Sequence, residues 1–188
     1  MKKILAILCS FMMTFLTCFP AYANENAMES FVSIPINNNE VWIFPTEDDY
    51  NAYLKEMSIK TDEDMISPQY VTEHEISRTT WYHKWICYHK STPTWTKASS
   101  YTVNAGTKCS GSIAATYAGV TFTLSLTKTQ NVTTTIPADS SRYSRLSLSG
   151  DFLVKKMTRF YHDNSGVYDQ YDYISYTKLN SYIDVTYQ

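Results

Sequence analysis

Apolar and hydroxylated residues alternate along much of the chain after residue 77. Across 120–127 every second residue is apolar and Thr or Ser stands between, which is the period of a strand with one buried and one solvated face. Further Thr-, Ser- and Tyr-rich runs of strand-forming residues cover 78–89, 101–103, 109–117, 131–136, 143–149, 152–161, 168–176 and 181–187. About eight short strands punctuated by turns predict an all-β fold, an antiparallel sandwich or barrel.

Turn signals separate these runs. Asp163-Asn164-Ser165-Gly166 joins two of them, and it predicts a β-hairpin because Asn and Gly tolerate the positive φ that tight turns need. Pro137 ends the run 131–136, and Gly150 separates 143–149 from 152–161. We expect one strand to end and the next to begin at each of these positions.

One segment ahead of the strands has the helical period. Thr46 supplies an N-cap hydroxyl before three carboxylates, whose charge is favoured at a helix N-terminus. The pattern predicts one short amphipathic helix over 47–58. Its apolar stripe consists of Tyr50, Tyr53, Leu54 and Met57.

Charge is divided unevenly along the chain. The whole sequence carries 16 Lys and Arg against 18 Asp and Glu, a net charge of −2. Residues 24–75 contain twelve carboxylates and two lysines, whereas the chain from residue 76 onward contains twelve Lys and Arg against six Asp. We therefore distinguish an acidic N-terminal segment, 24–76, from a β-domain, 77–188. A solvated acidic face is one interpretation.

The other interpretation of the charge asymmetry is docking of the acidic segment on its own β-domain. An isolated helix of about twelve residues is marginal in water, so its apolar stripe needs a partner. We expect the helix to pack on the sheet. The docking is either permanent, as part of the core, or releasable, as a cover over a basic binding face.

Composition and the first residues indicate the class of protein. Of 188 residues 44% are hydrophobic and 18% charged, which excludes collagen-like, coiled-coil and largely disordered classes. Lys2 and Lys3, an apolar run and Ala21-Tyr22-Ala23 predict a secretory signal peptide over 1–23. We expect a secreted bacterial protein with no transmembrane helix after its removal. A lipid anchor on Cys18 is the alternative localisation.

Two cysteines follow the predicted signal peptide, Cys87 and Cys109. An even pair in an exported chain favours a disulfide. Free thiols are one alternative. A zinc site is another, because His83, Cys87 and His89 share one face of an uninterrupted strand and Cys109 lies on a neighbouring strand, but their spacing matches no established zinc motif.

Catalytic signals are weak in this sequence. G-x-S-x-G, H-E-x-x-H and the phosphate-binding glycine motifs do not occur. A Cys–His pair needs a thiolate that a disulfide would remove. Asp163, Asp169 and Asp172 lie in or beside a turn, where surface solubility accounts for them. We expect a non-catalytic protein without a cofactor, and a secreted hydrolase lacking a known motif is an alternative.

Aromatic residues are dense in 81–95 and again near the C-terminus. On an uninterrupted strand, Trp81, Trp85 and Cys87 share the buried face. The opposite, solvent-facing side then carries candidate binding residues, since exposed tyrosines suit interfaces and can stack on sugars. These candidates are Tyr82, Lys84, Tyr88 and Lys90.

Basic residues cluster on consecutive predicted strands of the β-domain. In an exported protein their counterparts are envelope polymers, acidic glycans, lipid head groups or the protein's own acidic segment, rather than nucleic acid. The candidate binding residues in this cluster are Arg142, Arg145, Lys155, Lys156 and Arg159.

The run from Phe122 to Leu148, Ser/Thr-rich and broken at Pro137, resembles the strand regions of aerolysin-type β-pore-forming toxins. The resemblance is compositional and covers under a fifth of the chain. It implies a membrane-active β-hairpin, with alternate residues facing lipid.

Our first hypothesis is a small secreted module that binds an extracellular ligand, either an envelope polymer, a glycan or a protein. Pore formation is the alternative from another class.

Overall fold

The computed structural model describes residues 28–29, 32–59, 70–163 and 166–188. Ten strands and one helix are present in this part of the chain. They are β1 Met28–Glu29, β2 Val32–Pro35, β3 Glu40–Phe44, α1 Glu47–Ile59, β4 Tyr70–Tyr88, β5 Ser100–Val103, β6 Lys108–Tyr117, β7 Val120–Thr129, β8 Thr134–Pro137, β9 Ser144–Asp163 and β10 Gly166–Tyr187. The predicted signal peptide, 1–23, and Cys18 lie outside the described residues.

The strands form three sheets. The largest has the order β2-β3-β10-β9-β4 and is antiparallel throughout. A three-stranded sheet, β1-β7-β6, packs against it, and β5 and β8 form a two-stranded sheet at one end. The prediction of an all-β antiparallel sandwich with one short helix is confirmed. No helix of the described segments is long and apolar enough to cross a bilayer.

Two pairs of predicted strands each form one continuous strand, and β4 begins at Tyr70 rather than at residue 78. The segments predicted on either side of Gly150 are one continuous strand, β9, and two predicted C-terminal strands are the single strand β10. Gly150 serves close packing instead of a turn, because a Cβ there would lie 2.8 Å from Leu126 Cδ2 and 2.9 Å from the carbonyl oxygen of Asn180. The expected break at this glycine is therefore wrong.

The predicted hairpin joins β9 to β10. Asp163 pairs with Gly166 at the end of a long antiparallel ladder, as the predicted hairpin requires. Asn164 and Ser165 lie outside the described residues.

The main core lies between the five-stranded and three-stranded sheets. Strict alternation along β7 buries its apolar residues and exposes most of the intervening Thr and Ser, as the period of two predicts. We call the face of the five-stranded sheet in this core the inner face; Phe152, Val154 and Ile174 belong to it. The opposite, outer face carries Tyr171 and Tyr173.

Helix α1 covers one end of the outer face. Tyr50 and Tyr53 pack on Phe44, at ring-centre distances of 5.6 and 5.1 Å, so the expectation that the helix packs on the sheet is confirmed for these two residues. Leu54, however, is 43% exposed, and Met57 is exposed too. The buried edge of the helix instead contains Glu56, which is 1% exposed.

Candidate functional site

The other end of the outer face carries exposed aromatic rings around a row of small polar residues. Residues paired across antiparallel strands lie side by side on one face. Ser149 on β9 is paired with Trp85 on β4 and with Tyr182 on β10. Ser147, the next residue of β9 on the same face, is paired with Tyr88 and with Asp184.

This arrangement forms a shallow groove along β9. Ser147 and Ser149 form the floor and are only 2% and 5% exposed, because the larger side chains of β4 and β10 flank them. The backbones of β4 and β10 are two inter-strand spacings apart, ~10 Å, and at one end the rings of His83 and Tyr182 stack across β9 at 4.2 Å. We call this the aromatic groove; its residues are Trp85, Tyr88, Ser147, Ser149, Asp151, Tyr182 and Asp184.

Asp151 closes one end of the groove as a buried carboxylate with three donors. The backbone N–H of His83 donates to its Oδ1 at 2.8 Å, and Asn180 Nδ2 donates to its Oδ2 at 3.0 Å. The Tyr182 hydroxyl donates to the same Oδ2. These bonds, that from Tyr182 first, lower the pKa of Asp151. The carboxylate is therefore held ionised and fixes Tyr182 in place.

His83 sits at this end in an unusual backbone conformation. Its φ is 48°, in the left-handed region that residues other than Gly rarely occupy. The residue belongs to a bulge in β4, where two residues, 82 and 83, oppose Asp151 alone. Its ring stacks on Tyr182 at 4.2 Å. Strain of this kind persists only where the surroundings fix it and is frequent at functional sites.

A chain of rings continues from the β4 wall to the opposite end of the groove. Trp85 contacts Tyr88 edge to face at 5.2 Å, and Tyr88 contacts Trp95 at 5.5 Å. The guanidinium of Arg145 lies 4.2 Å from the Tyr88 ring centre, and its Nε donates to the carbonyl of Thr92 at 2.8 Å. Trp85 and Tyr88 are 39% and 36% exposed, so part of each residue is open to solvent.

The candidate residues predicted on β4 divide between the two faces of the sheet. Tyr88 lies in the aromatic groove, whereas Lys84 lies over the Trp81 ring at 5.5 Å on the inner side of the strand. Tyr82 is 75% exposed in the bulge. Lys90 is exposed in the loop after β4. The predicted common face is wrong because two bulges, after Trp81 and after Trp85, each shift the alternation by one residue.

The predicted basic cluster is dispersed. Lys155 pairs with Glu75 at 3.0 Å, and Lys156, on the opposite face of β9, lies 3.5 Å from Asp172. The guanidinium of Arg142 lies 4.1 Å from the Tyr187 ring centre. Of the five candidates, Arg145 alone borders the aromatic groove. These residues do not form one basic surface.

Arg159 belongs to the contact between helix and sheet. Its Nε and Nη2 donate to the two carboxylate oxygens of Glu56 at 3.0 and 2.9 Å, and its Nη1 contacts Glu73. Tyr171 also donates to Glu56, at 2.9 Å. Burial alone lowers the pKa of Arg159, but the carboxylates raise it above its usual value. Arg159 is a structural cation rather than a ligand-binding one.

Cys87 and Cys109 are free thiols in the structure, 4.4 Å apart. The expected disulfide is therefore absent. Cys87 Sγ is directed to the carbonyl of Ser110, at 3.8 Å, and packs where Gly111 has no side chain. The alternative zinc site is not formed either: His83 lies beside Asp151 at the outer face, whereas Cys87 contacts the inner core. Within the described segments no three metal-binding side chains converge.

Sequence reasoning missed most of the aromatic groove. Trp85 was expected in the core because strict alternation assigns it to the face of Trp81. The sequence places Asp151 beside an expected break between two strands at Gly150. Nothing in the sequence distinguishes Tyr182 from the other C-terminal tyrosines. Only the density of aromatic residues in 81–95 pointed to this surface.

Comparisons of this chain with protein-family models, with curated proteins and with solved structures found no significant match. The assignment of function therefore depends on the geometry of the groove.

Proposed function

We propose that this protein is an exported, non-catalytic binding module that holds a saccharide in the aromatic groove. The observation that supports this most is the row Trp85–Ser149–Tyr182, in which two ring-bearing side chains flank a hydroxyl. Sugar rings present apolar C–H faces to aromatic rings and hydroxyls to polar groups, so a groove combining both is suited to them.

The polar groups of the groove favour binding over catalysis. A general acid that cleaves a glycosidic bond needs a carboxyl group with a raised pKa. Asp151 has a lowered pKa and its oxygens accept three hydrogen bonds. It is suited to positioning Tyr182, so the alternative of a hydrolase is less well supported at this surface.

Export is part of the proposal and depends on the sequence alone. The features of 1–23 favour secretion, with a lipid anchor on Cys18 as the alternative. Outside the cell, the available saccharides are envelope polymers and host or environmental glycans. A binding module without a cofactor fits that setting.

The test is calorimetric titration of the purified protein with soluble bacterial, fungal and host polysaccharides. We expect saturable binding to at least one of them, and a loss of about tenfold or more in affinity, ~1.4 kcal/mol, for the double variant Trp85→Ala/Tyr182→Ala. Tyr70→Ala is the matched control, since Tyr70 is an exposed tyrosine near the other end of β4. Saccharide binding that survives loss of both groove rings would contradict the proposal.

Membrane disruption by a β-hairpin is the alternative function. Val120, Phe122, Leu124 and Leu126 of β7 are buried in the main core, so insertion into lipid requires β7 to leave the sandwich. Vesicle leakage measured with the same preparations distinguishes the two functions. Leakage that is unaffected by the groove variants would favour the pore-forming alternative.

A further inference from the structure

Asp184 has a different environment from the other carboxylate of the aromatic groove. Its Oδ2 accepts a hydrogen bond from Ser149 Oγ at 2.7 Å. In the part of the chain that the structure describes, no Lys, Arg or His lies within ion-pair distance of it, whereas Glu56, Glu75 and Asp172 each have a cationic partner. A partly buried carboxylate without a cation leaves a favourable position for one.

Aromatic rings stand on both sides of this carboxylate. Tyr182 is two residues earlier on β10, and Tyr88 lies in the same cross-strand row beyond Ser147. Ring faces attract cations, and the Arg145 guanidinium occupies the Tyr88 ring at 4.2 Å and the Trp95 ring at 5.6 Å. The groove therefore already accommodates one cation on its rings.

The charged residues of the aromatic groove also favour a cationic ligand. Asp151 and Asp184 line it along β9 and β10, and Arg145 stands at one end, where it is engaged with Tyr88 and Thr92. The middle of the groove thus combines acceptors, rings and an unneutralised negative charge. A protonated amino group complements all three.

We propose that the aromatic groove selects saccharides that carry free, protonated amino groups, with the ammonium paired to Asp184. This inference rests on the proposed saccharide-binding function and adds the ligand class to it. Neutral sugars of the same shape leave the Asp184 charge without a partner, and acetylation of the amino group removes the positive charge while keeping the sugar ring. The ligand class is therefore a hexosamine-containing polymer or oligosaccharide with unsubstituted amines.

The test compares two ligands that share one skeleton. Glucosamine oligosaccharides and N-acetylglucosamine oligosaccharides of equal length are titrated into the purified protein, with oligolysine of similar charge as a third probe. We expect the amino form to bind about tenfold or more tightly than the acetylated form, with a preference that falls as salt screens the pair. We expect oligolysine, which lacks sugar rings, to bind much more weakly.

Asp184→Asn is the decisive variant. We expect it to abolish the difference between amino and acetylated ligands, while Asp139→Asn, a substitution of a carboxylate engaged with Ser141 in a turn, leaves the difference intact. Thermal melting monitors folding, and the salt dependence of the wild-type protein gives a second measurement should Asp184→Asn be unstable.

The outcomes separate this inference from the proposed function. Equal binding of both ligands, lost in the Trp85 and Tyr182 variants, would overturn the selection for amines and leave saccharide binding in place. Equal binding of oligolysine would show that charge alone is recognised and would overturn the ligand class. Binding of no saccharide in the wider panel would overturn the proposed function as well.

Discussion

Glu56 of α1 and Arg159 of β9 form a bidentate ion pair, with N–O distances of 2.9 and 3.0 Å, at the contact between the helix and the outer face of the sheet. Glu56 is almost fully buried, and it also accepts a hydrogen bond from Tyr171. A buried pair of this kind fixes a helix in one position because either charge alone is costly to bury. The geometry therefore favours permanent docking of α1 over a releasable cover.

Substitution of Glu56 tests whether the docking of α1 is permanent. Glu56→Ala leaves a buried guanidinium with one carboxylate partner fewer, and we expect the free energy of unfolding to fall by ~3–5 kcal/mol. Leu54→Ala, on the exposed side of the same helix, is expected to cost less than about 1 kcal/mol. Urea denaturation of the two variants measures both. A larger loss for Leu54→Ala would restore the apolar stripe predicted from sequence and contradict the observed orientation.

The same helix shows what a periodic pattern can and cannot predict. The N-cap and the spacing predicted its limits to within one residue, because both are local properties. Which side is buried depends on Arg159 and Tyr171, more than one hundred residues away, and these make a carboxylate the most buried side chain in the described part of the helix, residues 47–58. A stripe drawn from hydrophobicity alone does not include Glu56.

The aromatic groove could not be predicted from the sequence for a related reason. Alternation predicted β7 correctly, since that strand has no bulge. On β4 the bulge after Trp81 reverses the alternation, so Trp85 lies on the outer face, and the bulge after Trp85 restores it, so Cys87 lies on the inner side. The bulges in β4 arise from its pairing with β9, and no single residue of β4 predicts them.

The turn between β6 and β7 offers a stabilising substitution. Ala118 and Gly119 have φ values of 49° and 83°, as the two central residues of a type I′ turn require, and Asn-Gly is the preferred pair there. We expect Ala118→Asn to raise the free energy of unfolding by ~0.5–1 kcal/mol, because Asn tolerates the left-handed conformation better than Ala. Ala105→Asn, an exposed substitution outside this turn, is the control. Unchanged or lower stability of Ala118→Asn in thermal melts would contradict this conformation of the turn.

The two thiols are expected to differ in reactivity. Burial, followed by the nearby Cys87 sulfur, raises the pKa of Cys109 to about 11, and the thiolate is the reactive form. Cys87 is partly exposed. At about pH 8 we expect maleimide to label Cys87 at least ~10 times faster than Cys109 in the folded protein, with similar rates in denaturant. Peptide mapping by mass spectrometry assigns the labels, and equal rates in the folded state would contradict the observed burial of Cys109.

His89 makes stability depend on pH in a defined direction. It is buried after the end of β4, where its Nδ1 accepts a hydrogen bond from the backbone N–H of Ser91 at 3.1 Å. Burial lowers its pKa in the folded protein, so the unfolded chain, with a histidine pKa of about 6.5, binds the proton first as pH falls. The stabilisation is therefore complete above about pH 6.5 and is lost below it, at up to ~1.4 kcal/mol per pH unit for this one group.

Replacement of the ring by an uncharged acceptor isolates this effect. In His89→Asn the side-chain oxygen can accept the Ser91 N–H but no proton binds, so we expect the decline in unfolding free energy between about pH 7.5 and 5.5 to become shallower. His74→Asn, at an exposed position of β4, is expected to leave the slope unchanged. Urea titrations at several pH values measure all three slopes. A steeper decline in His89→Asn than in the native chain would show that protonated His89 stabilises the fold, the opposite of what its burial implies.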